Sequence, residues 1–190
     1  MKKRIVGVDE VGRGPLAGPV TICAVAVPVK RDISFLKNFK DSKKLSSRQR
    51  EEVVKGIKME KAVCSISSRE IDRFGISKAI KKAVRIVLKK LNIDPKSKIF
   101  LDGSLKAPKE YVNQKTIIGG DSKNKLIATA SVFAKVHRDR LMTKRAERYP
   151  RYGFEIHKGY GTLSHRKAIK KYGLCKEHRR SFTRELTKKI

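Results

Sequence analysis

Residues 12–19 run Gly12-Arg13-Gly14-Pro15-Leu16-Ala17-Gly18-Pro19. Three glycines and two prolines in eight positions make a loop of fixed shape. Proline locks φ, and glycine reaches backbone conformations closed to other residues. An apolar run stands on each side, residues 5–8 (Ile5, Val6, Gly7, Val8) and residues 20–29. Both read as buried β-strands. The second is the longest apolar stretch of the chain. It carries Thr21 and Pro28 and is half the length of a membrane span, which needs ~20 residues. The start of the chain is thereby committed to a sheet whose first two strands are joined by a structured loop.

The rest of the chain supplies helices and further strands. Ser46 with Gln49 is a capping-box signature and predicts a helix to about residue 58. Residues 62–67 read as a strand. Ile76, Ile80, Ala83, Val84, Val87, Leu88 and Leu91 recur at helical spacing, with Lys81, Lys82, Arg85, Lys89 and Lys90 on the opposite face. A strand over residues 98–102 follows Pro95, then a short one over residues 116–118. Gly119-Gly120-Asp121-Ser122 is expected to open a long helix reaching about residue 147, with the small residues Ala128, Ala130, Ser131 and Ala134 on its inner face. A last helix is expected over residues 163–172. Strands early and helices interleaved later predict an α/β domain with a mixed sheet. At 190 residues, 39% of them hydrophobic, the chain makes a single domain, residues 1–190.

Charge narrows the function. The net charge is +30, of which residues 135–190 carry +13, so the excess is spread rather than held in a tail. A folded basic surface facing a polyanion is the inference, nucleic acid first and an acidic membrane surface second. Heat adaptation or a basic proteome produces the same excess without a ligand. The basic start of the chain resembles a leader, but Asp9 and Glu10 end its apolar stretch after four residues, so no signal peptide is expected. Cys23, Cys64 and Cys175 lack metal-ligand spacing and cannot all pair. Reduced thiols in a cytoplasmic protein are expected.

With only 18 acidic residues against 48 basic ones, the placement of acids matters. Asp9 and Glu10 end the first strand, Asp102 ends an independent strand, and Asp121 follows a double glycine at a helix start. Strand ends and helix starts are rigid places from which side chains converge. Converging carboxylates repel, and a divalent cation such as Mg²⁺ or Mn²⁺ relieves that repulsion. Such an ion activates water and neutralises charge on a phosphodiester. Each acid also has a simpler reading. Asp121 with Ser122 suits a helix cap, Asp102-Gly103 suits a turn, and Asp9-Glu10 suits an ion pair with Arg13. Spacing by itself leaves both readings open.

The motifs are more specific than the spacing. Residues 7–20, from Gly7-Val8-Asp9-Glu10-Val11-Gly12-Arg13-Gly14 to Val20, closely resemble the signature of bacterial ribonuclease HII. The likeness continues through Asp41-Ser42-Lys43-Lys44-Leu45-Ser46, Leu101-Asp102-Gly103, Gly120-Asp121-Ser122 and Ala134-Lys135-Val136 with Arg138-Asp139-Arg140. Lys158-Gly159-Tyr160-Gly161-Thr162 and His178-Arg179-Arg180-Ser181-Phe182 complete it, in the family's order. The resemblance implies a ribonuclease H-like fold, a central mixed β-sheet flanked by helices with a C-terminal helical extension. It implies an endonuclease that cuts the RNA strand of RNA–DNA hybrids and incises on the 5′ side of single ribonucleotides in duplex DNA. Asp9, Glu10, Asp102 and Asp121 match the family's catalytic, metal-binding carboxylates. Mg²⁺ or Mn²⁺ would be the cofactor, and in-line attack by a metal-activated water would leave 3′-hydroxyl and 5′-phosphate ends. Gly12, Arg13 and Gly14 match the loop that contacts the ribonucleotide through its backbone, and Tyr160 matches the tyrosine that reads the RNA–DNA junction. Lys43, Lys44 and Arg180 are expected phosphate contacts. Residues 150–190 or so form the expected substrate-binding segment, and a monomer suffices.

Other residues are expected to be structural. His137, His157 and His165 have no ligand spacing with one another, and His178 is expected to support backbone or phosphate rather than act as a base. Asp139 lies one turn from Lys135, as in a helix ion pair. Tyr149, Tyr152, Phe154 and Tyr160 cluster among basic residues, as in a nucleic-acid surface, and satellite core packing explains the first three equally well. Gly119 stands where the family commonly has lysine, and no clamp-binding peptide is recognisable at the C-terminus. A non-catalytic RNA-binding protein would explain the charge but has no use for convergent carboxylates. Another nuclease on the same fold is opposed only by the Gly12-Arg13-Gly14 and Tyr160 motifs.

Overall fold

The computed structural model describes residues 3–34, 36 and 46–187. The apolar run after the glycine loop is β2 (Val20–Pro28), and all of it but Pro28 is buried. A strand buried on both faces needs a layer over each. Val20, Ile22, Ala24 and Ala26 enter one core with α3 (Ile76–Lys90), while Cys23, Val25 and Val27 enter another with α5 (Lys125–Arg148). The helix α3 buries Ala79, Ile80, Ala83, Val84, Val87 and Leu88, the face its spacing predicts.

Antiparallel partners of β2 are β1 (Arg4–Val11) and β3 (Glu60–Ile66). On its far side β1 pairs in parallel with β4 (Lys98–Asp102), and β4 with β5 (Gln114–Ile117). The result is a mixed sheet of order β3-β2-β1-β4-β5 between two helical layers, the α/β architecture expected. The capping box opens α1 (Ser47–Gly56): the Gln49 N–H donates to Ser46 Oγ at 3.2 Å, and the Ser46 N–H to Gln49 Oε1 at 2.8 Å.

Several elements depart from the sequence expectation. The helix expected from Gly119 is two, α4 (Gly120–Lys123) and α5, divided at Asn124. Asn124 takes an extended backbone (φ −125°, ψ 121°), and its side chain accepts from the Leu126 and Ile127 N–H groups. A side-chain cap of this kind starts a new helix rather than continuing the old one. The small inner face of α5 is wider than a stripe, since residues 126–130 are buried all round. Three helices were not individually expected: α2 (Ser68–Phe74), whose cap Ser67 accepts from the Glu70 N–H, the single turn at Phe154–His157, and α8 (Arg180–Thr187) within the C-terminal helical extension. After α5 come a 3-10 turn at Pro150–Tyr152, α6 (Phe154–His157) and α7 (Leu163–Tyr172). Tyr152, Phe154, Met142, Ala146 and the loop residue Ala17 make a third core, with Tyr149 against it. The satellite-core reading therefore holds for Tyr149, Tyr152 and Phe154.

Gly7 sets the distance between sheet and helix. A Cβ there would stand 2.3 Å from the Leu126 carbonyl carbon and 2.6 Å from its oxygen. Backbone cannot swing aside as a side chain does, so Gly7→Ala must lift α5 off β1. A loss of about 3 kcal/mol is expected, a fall of roughly 6–12 °C in melting temperature for a chain of this size. An unchanged thermal melt would show that the two layers slide freely.

Candidate active site

Parallel register brings the acids together. Val8 on β1 lies opposite Leu101 on β4, so the next position along both strands is Asp9 beside Asp102. Oxygens of Asp9, Glu10 and Asp102 all lie within 4.8 Å of one another. Asp9 is 4% exposed, and its Oδ1 accepts the Glu10 N–H at 2.7 Å. Burial, with Asp102 and Glu10 adding repulsion, pushes the Asp9 carboxyl up to about 8, although the Ser131 hydroxyl of α5 opposes the shift. Burial also raises Glu10, against the pull of the Arg13 guanidinium, whose Nη1 is 3.5 Å away. The ion-pair reading of Arg13 is thus real and coexists with the cluster. Glu10 Oε2 is buried without any hydrogen-bond partner. Asp102 Oδ1 accepts the Gly120 N–H at 2.6 Å, which docks the start of α4 onto the cluster. Asp121 follows in the first turn of α4 and stands outside the three-carboxylate group.

This donor set fits a hard divalent cation. The oxygens are anionic, crowded and under-satisfied, and an ion such as Mg²⁺ or Mn²⁺ takes oxygen ligands while keeping water. Asp9, Glu10 and Asp102 would hold it directly.

The glycine loop lies beside the cluster and is held from within by two buried arginines. Arg179, wholly buried, donates from Nε to Gly18 O (2.9 Å), from Nη1 to Arg13 O (2.8 Å) and from Nη2 to Gly12 O (2.6 Å). Arg138, also wholly buried, donates to Pro19 O (2.9 Å) and Ala17 O (3.2 Å). Among the described residues backbone carbonyls accept the hydrogen bonds of both clamps; Asp72 attracts Arg179 and Asp139 attracts Arg138 only at longer range. Burial, then repulsion by Arg138, lowers Arg179 to about 9. The consequence follows from the trans peptide, in which C=O and N–H point opposite ways. With the Gly12 and Arg13 carbonyls turned in to Arg179, the N–H groups of Arg13 and Gly14 turn away from the clamp.

The two glycines differ in role. Gly12 is buried at φ +85°, and a Cβ would meet Arg138 Nε at 2.2 Å, so it is small for the clamp's sake. Around Gly14 there is no atom within 4 Å of a Cβ, and the residue is exposed. Arg13 is half exposed and reaches across to Ser104 Oγ at 3.1 Å, bridging the loops that follow β1 and β4. Tyr160 is no core tyrosine: it is 43% exposed, and the Arg138 guanidinium lies 5.9 Å from its ring centroid. Residues 158–161 are stapled to the glycine loop, since the Leu16 and Ala17 N–H groups donate to Gly159 O at 2.9 and 3.2 Å.

Comparison with known proteins agrees with this arrangement. The family model described as ribonuclease HII matches residues 6–186. The chain belongs to the ribonuclease HII family. It is 43% identical over 185 residues to the ribonuclease HII of Acetivibrio thermocellus, covering 96% of this chain and 70% of that protein. It is 46% identical over 182 residues to the ribonuclease HII of Shouchella clausii, covering 94% and 68%. The crystal structure of ribonuclease H2 from Pyrococcus horikoshii OT3 superposes with a TM-score of 0.80 at 27% identity, covering 98% of each chain.

The remaining ribonuclease HII motif residues are less central in place. Lys43 and Lys44 lie outside the described residues. Arg180 is exposed; its N–H donates to Asp72 Oδ2, and with Arg69, Asp72 and Lys176 it lines a cavity of about 430 Å³ whose wall contains none of the four acids. Arg138 and Arg179 were legible only as members of motif blocks, with no role attached. For Arg138 a signal existed: Ala130, Ala134, Arg138 and Met142 recur at every fourth residue, placing an arginine on a buried helix face. No comparable signal marks Arg179. Lys135 Nζ pairs with Asp139 Oδ1 at 2.8 Å, the helix ion pair expected. The three cysteines are free, and among the described residues no helix is long and apolar enough to cross a membrane.

Proposed function

We propose that this chain is a divalent-metal-dependent endoribonuclease. It cleaves the RNA strand of RNA–DNA hybrids and nicks 5′ of single ribonucleotides in duplex DNA, leaving 3′-hydroxyl and 5′-phosphate ends. The observation that carries this is the orphaned Glu10 Oε2 among crowded carboxylates, set beside a loop whose N–H groups face away from its own clamp. Asp9, Glu10, Asp102 and Asp121 are the metal-site residues, with Mg²⁺ or Mn²⁺ as cofactor. When bound, the ion supplies an activated water and neutralises charge at the scissile phosphate. The backbone of Gly12, Arg13 and Gly14 recognises the 2′-hydroxyl, the only group that distinguishes RNA from DNA at that sugar. Tyr160 offers a face and a polar tip at the junction. Lys43 and Arg180 contact phosphates, with residues 150–190 as the substrate-binding segment. The protein acts as a monomer in the cytoplasm, in ribonucleotide excision repair.

The test is a DNA duplex with one ribonucleotide, incubated with Mg²⁺, Mn²⁺ or chelator, beside an all-DNA control. A metal-dependent nick 5′ of the ribonucleotide, with the control intact, is expected. Affinity is expected to fall steeply with salt through counterion release. Tight, salt-sensitive binding without any cleavage on this duplex or on a long hybrid would overturn the enzyme reading in favour of an RNA-binding protein.

A further inference from the structure

Three imidazoles stand together beneath the segment that carries Tyr160. His157 and His165 stack with centroids 4.3 Å apart and an interplanar angle of 16°. His165 and His178 meet edge to edge, Nε2 to Nε2, at 3.1 Å. The Phe154 ring sits edge-on to His157 and His165, and the Tyr152 ring edge-on to His178.

Backbone groups around the rings assign every ring proton. Gly159 N–H donates to His157 Nδ1 (3.2 Å), so the proton of His157 is on Nε2 and goes to Tyr152 O (2.6 Å). Cys175 N–H donates to His178 Nδ1 (2.9 Å), so His178 donates from Nε2 to His165 Nε2 (3.1 Å). His165 therefore carries its proton on Nδ1 and donates to Tyr160 O (2.8 Å). These hydrogen bonds give each ring one tautomer and occupy every ring nitrogen. Burial keeps His165 and His178 at about 4, so these two rings stay neutral at physiological pH.

The network has a direction. It runs from the Cys175 N–H through His178 and His165 to the Tyr160 carbonyl, while His157 anchors the Gly159 N–H. The Gly159 carbonyl in turn holds the glycine loop through Leu16 and Ala17. The backbone on which the exposed Tyr160 ring stands is thus pinned from two sides, by the buried His165–His178 pair and by the half-buried His157.

We propose that His157, His165 and His178 are one positioning unit for Tyr160. They set the position of its ring relative to the glycine loop, to which Gly159 is bonded, and so the preference for a lone ribonucleotide over a long hybrid, without touching substrate. This rests on the reading of Tyr160 as the junction-sensing residue.

The test compares kcat/KM on a single-ribonucleotide duplex with kcat/KM on a long RNA–DNA hybrid, with a thermal melt for each variant. Asparagine carries its amide N–H near the place of Nδ1, glutamine near the place of Nε2. His165→Asn keeps a donor for Tyr160 O and is expected to hold the substrate ratio within ~threefold of wild type. His165→Gln loses that donor and is expected to lower the ratio ~tenfold, the worth of about one hydrogen bond. His157→Gln, at a half-buried position, keeps the bond to Tyr152 O, strips the Gly159 N–H of its acceptor, and is expected to lower the ratio similarly. Equal ratios for the two His165 variants, or a wild-type ratio in His157→Gln, would overturn the proposal. If His165→Gln does not fold, His157→Gln alone decides. Tyr160→Ala separates the premise: if it leaves the ratio unchanged, the junction reading falls, and a drop confined to the histidine variants shows that they act elsewhere.

Discussion

Asp9→Asn is expected to abolish cleavage, by at least ~10³-fold or about 4 kcal/mol of transition-state stabilisation, while making the metal-free protein more stable. Asparagine keeps an oxygen for the Glu10 N–H but removes a buried negative charge that Asp102 and Glu10 repel. A carboxyl whose folded pKa is raised contributes stability that is full below its ordinary value of 3.8 and lost as pH rises toward about 8. Metal-free wild type is therefore expected to weaken across that window, and Asp9→Asn to escape the loss. At pH 8 the gain is about 2–3 kcal/mol, less than the full shift because the carboxylates share the repulsion, or roughly 5–10 °C in melting temperature. Substrate binding without metal stays equal or tightens, because a negative charge near phosphate is gone. Metal binding to wild type is expected to release a proton near neutral pH and to tighten as pH rises to about 8. Calorimetry in two buffers of different ionisation heat reads that proton. Full turnover in Asp9→Asn, or a lower melt at pH 8, would remove Asp9 from the site.

Arg179→Met is expected to be as severe for the loop as Asp9→Asn is for the chemistry. The methionine keeps the apolar stem but leaves the carbonyls of Gly12, Arg13 and Gly18 buried without donors. Losing the charged partner of several buried acceptors costs about 3–5 kcal/mol, the relief of repulsion from Arg138 offsetting part. Incision at a lone ribonucleotide is expected to fall ~10²-fold or more, because the N–H groups of Arg13 and Gly14 lose their fixed direction. Arg179→Lys is expected to rescue little, since one ammonium cannot place three donors as a planar fork does. Chemical denaturation and the nicking assay together check this, and a lysine variant equal to wild type in both would show that the clamp needs only a charge.

Much of the site was written locally. An apolar run followed by acid, twice, located Asp9, Glu10 and Asp102, because burial pattern is a property of a few neighbouring residues; Asp102 does end β4, whereas β1 continues through Asp9 and Glu10 to Val11, held there by its ladder with β2. The glycine-proline loop, the capping box at Ser46 and the buried face of α3 were legible for the same reason. The break at Asn124 was not, although its cap is local, because residues 119–125 hold no apolar side chain whose spacing would show where one helix stops and the next begins.

The sequence by itself determined which residues carry charge, which segments are buried, and that carboxylates follow two apolar strand segments. Tertiary structure alone decided that those strands pair with Val8 opposite Leu101, which is what makes the acids converge. It alone decided that Arg138 and Arg179 turn inward to the loop's carbonyls and that three histidines share one set of tautomers. The reason is physical. Periodicity and propensity are set by nearest neighbours, whereas the partner of a buried charge, and the proton position on a buried imidazole, are fixed only when distant segments close around them.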